Sequence, residues 1–108
     1  MGKMQAAKGR RGEEELAAIF REYGYNARRG DSMNYGTQPD ISGLPGVHCE
    51  CKRQEKLNLS AALEQARRDS LKFRDGLPAV FHRRNREEWQ VTMTLRDWMR
   101  IYQEGRGR

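Results

Sequence analysis

The chain has 108 residues, 21 of them lysine or arginine against 15 aspartates and glutamates, which leaves a formal net charge of +6. That length suits one domain with one modest core, and the positive balance points to a polyanionic partner such as nucleic acid. It holds no apolar run of the roughly 18 residues a membrane span needs, no apolar stretch after the basic opening MGKMQAAKGRRG that would make a secretory signal, and no disulfide framework in its neighbouring Cys49 and Cys51, so a reducing, cytoplasmic setting is expected.

Residues 1–8 read as a loose basic arm. Over 10–23 the spacing of Leu16, Ile19, Phe20 and Tyr23 predicts a helix, ended by Gly24 as a C-cap. Glu13, Glu14 and Glu15 fall where acids suit a helix start. At 100° per residue they are not equivalent. Glu13 precedes Leu16 by three and Phe20 by seven, so it lies nearest the apolar face and can lean over a sheet. Residues 25–29 predict a short strand, and the polar, glycine-bearing stretch 30–38 (GDSMNYGTQ) a loop of the kind that often carries function.

Residues 41–42, the turn Gly43-Leu44-Pro45-Gly46, and 47–52 read as strand, turn, strand. Side chains alternate along a strand. Val47, Cys49 and Cys51 therefore form an apolar face, and His48, Glu50 and Lys52 a polar one, as on a half-buried strand. A second helix is expected over 59–74, capped by Asn58 or Ser60, with Leu59, Leu63, Ala66 and Phe73 inward and Gln65 beside that stripe. Strands at 78–83 and 89–93 follow. Thr94 then caps a last helix over 95–103, with Leu95, Trp98, Met99 and Tyr102 on one face, and 104–108 reads as a flexible basic tail. The order α, β-β-β, α, β-β, α predicts a single α/β domain, a mixed sheet flanked by helices.

The chemistry gathers in PDISGLPGVHCECK, residues 39–52. In the hairpin Asp40 falls across from Glu50, and directly opposed residues on one face have Cβ atoms about 5 Å apart. Two carboxylates that close repel unless one is protonated or a cation intervenes. A hard ion such as Mg²⁺ takes one or two carboxylates and keeps several waters, and Lys52 adds a positive charge on the same face. Phosphodiester hydrolysis requires such a metal, to polarise a phosphoryl oxygen and acidify a water, and a group to orient that water. A zinc site from His48, Cys49, Cys51 and His82 fits poorly, because one C-x-C without a second pair lacks the usual ligand spacing. Cys49 and Cys51 read as small buried apolar residues, His48 as a surface histidine and His82 as a hydrogen-bonded structural one.

These motifs, KGRRGEEEL at 8–16, PDI at 39–41 and ECK at 50–52, resemble those of the PD-(D/E)xK nuclease superfamily, and among its members the small Holliday-junction resolvases of archaeal and phage type. The resemblance implies a central four- or five-stranded mixed sheet flanked by helices. It implies that Asp40, Glu50 and the Cys51 carbonyl hold Mg²⁺ (or Mn²⁺), that Glu13 completes the metal site, that Lys52 orients the attacking water, and that Gln65 borders the site. Ser32 corresponds to a resolvase loop serine, although GDSMNYGTQ departs from the resolvase loop. Arg10, Arg11, Arg28, Arg29 and Arg53, with Ser32, are the expected DNA contacts, and Arg83 and Arg84 extend the basic set. The expected activity is Mg²⁺-dependent endonucleolytic cleavage of branched DNA by a homodimer, with the last helix and Trp98 in its interface. Flaps, nicks and linear duplex remain alternative substrates, and a non-catalytic basic nucleic-acid-binding module remains the alternative from another class.

Overall fold

In the computed structural model, which describes residues 2–30 and 39–106 and the side chains of 9–30 and 39–105, the central strand is the one that carries the ECK motif. Five strands form the sheet: β1 (Arg28–Arg29), β2 (Ile41–Ser42), β3 (Val47–Arg53), β4 (Leu77–Arg83) and β5 (Gln90–Thr92). They lie in the order β1-β2-β3-β4-β5, with β3 and β4 parallel and every other pair antiparallel. Three helices complete a single α/β domain: α1 (Gly2–Glu22), α2 (Leu59–Phe73) and α3 (Leu95–Arg106). The fold is the mixed, helix-flanked sheet expected from the element order.

Because α2 connects two parallel neighbours, it must cross one face of the sheet. It buries Ala62, Ala66 and Ser70, and packs Ala62 and Ala66 with Leu57, Leu59 and Leu63 against Val80 of β4. The other face belongs to α1, where Leu16, Ala17 and Phe20 meet Cys49, Cys51, Ala79 and Phe81, with Phe20 edge-on to Phe81 at 5.2 Å. The β3 strand is therefore covered on both sides. This corrects the half-buried alternation expected of it: His48 is 1% exposed and Glu50 3%, so the expected surface histidine lies inside.

The helix of Glu13 also begins earlier than its acids suggest. It starts at Gly2, which puts Glu13, Glu14 and Glu15 in mid-helix rather than at the macrodipole's positive end. Tyr23 leaves the expected apolar stripe: the helix ends at Glu22, and Tyr23 sits in the turn beyond it, 78% exposed. Gly12 lets α1 come close to β3, since a Cβ there would lie 2.5 Å from the Arg53 Cβ. At the hairpin turn Gly43 adopts φ +96° and its missing Cβ leaves room for the Asn26 carbonyl, which a side chain would meet at 2.1 Å. An L-residue is disfavoured there on both counts.

The expected N-caps hold. The Asn58 side chain accepts the Ala61 amide at 3.0 Å, and the Thr94 hydroxyl accepts the Asp97 amide at 3.2 Å. The α3 helix runs to Arg106, past the expected end at 103, and Leu95, Trp98, Ile101 and Tyr102 on it stay exposed. Trp98 stacks on Tyr102 at 5.1 Å. Trp89, in contrast, packs against the core and donates its indole N–H to Glu15 at 2.7 Å. No described helix is long and apolar enough to cross a membrane. Removing the α2 cap tests its contribution: Asn58→Ala is expected to lower unfolding free energy by about 1 kcal/mol, read from the midpoint of a urea melt at unchanged slope.

Candidate active site

The β2–β3 register pairs Ile41 with Cys49, which sets Asp40 opposite Glu50, as the hairpin pattern predicts. Asp40 Oδ2 accepts the Cys51 backbone N–H at 2.9 Å, and the Asp40 carbonyl accepts the Gly30 amide at 2.8 Å, tying the residue to the end of β1. Lys52, on the same face as Glu50, lies 3.7 Å from Glu50 Oε2 and donates to Gln65 Oε1 on α2 at 3.2 Å. Glu13 approaches from α1 and accepts the Arg29 guanidinium at 3.0 Å. Acids from a helix, a strand start and a central strand, with one lysine and one glutamine, thus converge at one end of the sheet.

Electrostatics mark the place. Burial, then the charge of Glu50, push the Asp40 carboxyl up to about 7, against the Cys51 amide that favours its ionised form; Glu13 adds to the rise. Burial also raises the Glu13 carboxyl, opposed by Arg29 and reinforced by Glu50 and Glu14. Asp40, beside the Glu50 charge, retains its proton where an isolated carboxyl would have lost it. All the carboxylate donors here are oxygens, Glu50 buried and Asp40 and Glu13 half-buried, which fits a hard divalent cation. Glu13 is held by Arg29, so Asp40 and Glu50 are the pair that faces such an ion most directly.

The face of β3 that carries Glu50 also carries His48. Its Nδ1 contacts both carboxylate oxygens of Asp75, at 2.9 and 2.8 Å, and its Nε2 lies 3.6 Å from Glu50 Oε1. Burial disfavours charge on this ring, but Glu50 and Asp75 raise its proton affinity overall. Among the described residues, His48, Glu50 and Asp69 offer ligand atoms that all lie within 4.8 Å of one another; Glu13, Asp40 and Glu50 do not form so tight a set. Sequence reasoning missed Asp69 and Asp75, because α2 and the turn after it supply them and no spacing ties them to β3. The one available signal was the β-α-β order, which implies a second covered face.

The remaining expectations divide. Arg10, Arg11 and Arg28 are exposed. Arg29 is committed to Glu13. Arg53 departs from its expected place on a DNA-facing surface: its guanidinium donates to Glu55, to the Arg83 carbonyl and to Asn85, and only 11% of its side chain is exposed. Ser32 lies outside the described residues. Cys49 and Cys51 are buried free thiols, Cys49 raised to about 12 chiefly by burial and Cys51 raised as well. They point to the α1 side, away from His48, so the His–Cys zinc set does not assemble. His82 bonds the Thr92 hydroxyl at 2.8 Å, in the structural role expected of it.

Asp40 gives a pH prediction with a definite sign. Its folded-state pKa stands above its ordinary 3.8, so the folded chain holds more protons than the unfolded one and loses stability as pH rises. At about 1.4 kcal/mol per pH unit, the loss is on the order of 4 kcal/mol between about pH 4 and 7. Thermal melts in EDTA are expected to fall across that window, to flatten in Asp40→Asn, and to recover with Mg²⁺; an Asp40→Asn slope equal to the parent's would place the cause elsewhere.

No family model and no curated protein matches the chain. Among solved structures it is similar to Hjc, a Holliday junction resolvase from the archaeal hyperthermophile Archaeoglobus fulgidus. The two align with a TM-score of 0.58 and 24% identity, over 80% of this chain and 72% of that one. The five-stranded mixed sheet and its three helices therefore have the fold of an archaeal Holliday junction resolvase.

Proposed function

We propose that this chain is a divalent-metal-dependent endonuclease that cuts branched DNA, the four-way junction being its principal substrate. The observation that carries the reading is the convergence of Asp40, Glu50 and Lys52, with Glu13 behind them, at one end of this fold in a chain of charge +6. A module that only bound nucleic acid would gain nothing from buried acids beside a phosphate, because they repel it.

Asp40, Glu50 and the Cys51 carbonyl would hold Mg²⁺, for which Mn²⁺ could substitute, and the bound ion would supply Lewis acidity toward a phosphoryl oxygen. Lys52, held between Glu50 and Gln65, would orient the attacking water and balance charge on the phosphate. Gln65 fixes that ammonium. Glu13 and Arg29 form an ion pair at the rim, so Glu13 acts through water or by releasing Arg29 to the DNA. Exposed Arg10, Arg11 and Arg28 neutralise backbone phosphates, which positions the duplex without reading its sequence. The resolvase fold of the neighbour favours a junction over a flap or a linear duplex.

A four-way junction presents equivalent strands to two sites, which a homodimer provides. The exposed Leu95, Trp98, Ile101 and Tyr102 of α3 are the apolar surface for that contact. Light scattering is expected to give twice the chain mass, and Trp98→Glu to shift it to the monomer.

The decisive assay offers a synthetic four-way junction, a flap and a linear duplex, each with Mg²⁺. Paired cuts in the junction are expected. Asp40→Asn and Glu50→Ala should each lower cleavage by about 10²- to 10³-fold, the scale of losing an electrostatic group at a reaction centre, while binding in Ca²⁺ or EDTA stays within a few-fold. A folded variant that loses binding and cleavage together, or a wild-type chain that binds DNA and cuts none of the three, would favour the non-catalytic module.

A further inference from the structure

The histidine side of Glu50 is unused by the nuclease reading, and it is built as a ligand site. His48 is 1% exposed, yet its Nε2 has no hydrogen-bond partner among the described residues. A buried ring nitrogen without a partner is costly. The other nitrogen is fixed: a carboxylate only accepts, so the contact of Nδ1 with both Asp75 oxygens, at 2.9 and 2.8 Å, puts a proton on Nδ1 and makes Nε2, which faces Glu50, the nitrogen open to an ion in place of a second proton. Phe73 stacks on the ring, with centroids 6.0 Å apart and planes 25° apart, and holds its orientation. The carboxylate–imidazole pair with an open outer nitrogen is the arrangement that supports metal-bound histidines.

The distances agree. His48 Nε2 and Glu50 Oε1 are 3.6 Å apart, too far for a hydrogen bond. Two donors each about 2.1 Å from a tetrahedral ion lie about 3.4 Å from one another. Asp69, half-buried on α2, adds a third donor, and the three ligand atoms all lie within 4.8 Å of each other. An imidazole with two carboxylates suits a borderline ion rather than Mg²⁺.

We propose that His48, Glu50 and Asp69 form a second, transition-metal site, selective for Zn²⁺ over Mg²⁺, with Asp75 positioning His48. Its two oxygens let Glu50 serve both sites: Oε1 faces His48 and Oε2 faces Lys52. The site does not require the chain to be a nuclease, and its test uses no DNA.

The experiment is titration of the metal-stripped full chain with ZnCl₂ in excess Mg²⁺, by calorimetry and thermal melting. One Zn²⁺ per chain is expected to bind, raising the melting temperature, and X-ray absorption at the zinc edge should show one imidazole nitrogen among oxygen donors. Asp69→Asn, on a half-exposed helix position, is expected to weaken Zn²⁺ binding at least tenfold, and Asp75→Asn by 10- to 100-fold, while Glu64→Gln, exposed on the same helix, changes it less than threefold. His48→Gln should abolish binding; because His48 is buried, Asp69→Asn remains the deciding variant. Absence of stoichiometric Zn²⁺ binding would overturn the proposal. So would Zn²⁺ affinity unchanged in Asp69→Asn, or a loss in Glu64→Gln as large as in Asp69→Asn.

Discussion

Asp40 and Glu50 face each other across adjacent antiparallel strands, and their mutual repulsion is the constraint to which the rest of this end of the molecule answers. The backbone register imposes the opposition. Burial sharpens it, since two carboxylates removed from water are screened less than on a surface. The fold partly relieves the strain: the Cys51 amide donates to Asp40, the Lys52 ammonium stands beside Glu50, and Arg29 holds Glu13. A proton retained on Asp40 toward neutral pH covers part of the remainder. A divalent cation would relieve it more completely, and that links the geometry to phosphoryl-transfer chemistry.

Much of this was legible in the sequence, because strand alternation and hairpin register are local. The separation of Asp40 from Glu50 by one turn, and of Glu50 from Lys52 by one residue, sufficed to put all three on one face. Helical spacing similarly turned Glu13, rather than its two neighbours, inward. What escaped was non-local. His48 looked like a surface residue because a strand with one polar face reads as half-exposed, and only the crossover of α2 covers that face. Asp69 and Asp75 reach β3 from separate elements, so no motif contains them. Arg53 looked like a phosphate contact, but the turn between β4 and β5 brings Asn85 and the Arg83 carbonyl to its guanidinium. Tyr23 kept the right period and lost its place only because the helix stopped one residue earlier.

The resolvase likeness and the acid cluster support the same reading from different directions. At 24% identity the likeness speaks to fold, whereas the cluster speaks to chemistry, and neither depends on the other. A basic chain that gathers three acids, Glu50 buried and Glu13 and Asp40 half-buried, where strands and helix meet places opposite charges in the arrangement a metal-assisted nuclease needs: cations outside to hold the phosphate backbone, anions within to hold the ion. Asp75 fixes the His48 ring, whose Nε2 stands 3.6 Å from one Glu50 oxygen while Lys52 stands 3.7 Å from the other.

The most direct measurement is carboxyl ¹³C NMR titration of Asp40, assigned by comparison with Asp40→Asn, without and with saturating Mg²⁺. A midpoint near 7 in the absence of the ion, falling by two pH units or more in its presence, is the predicted result. A midpoint near 4 under both conditions would mean that the two opposed carboxylates neither compete for charge nor share a cation.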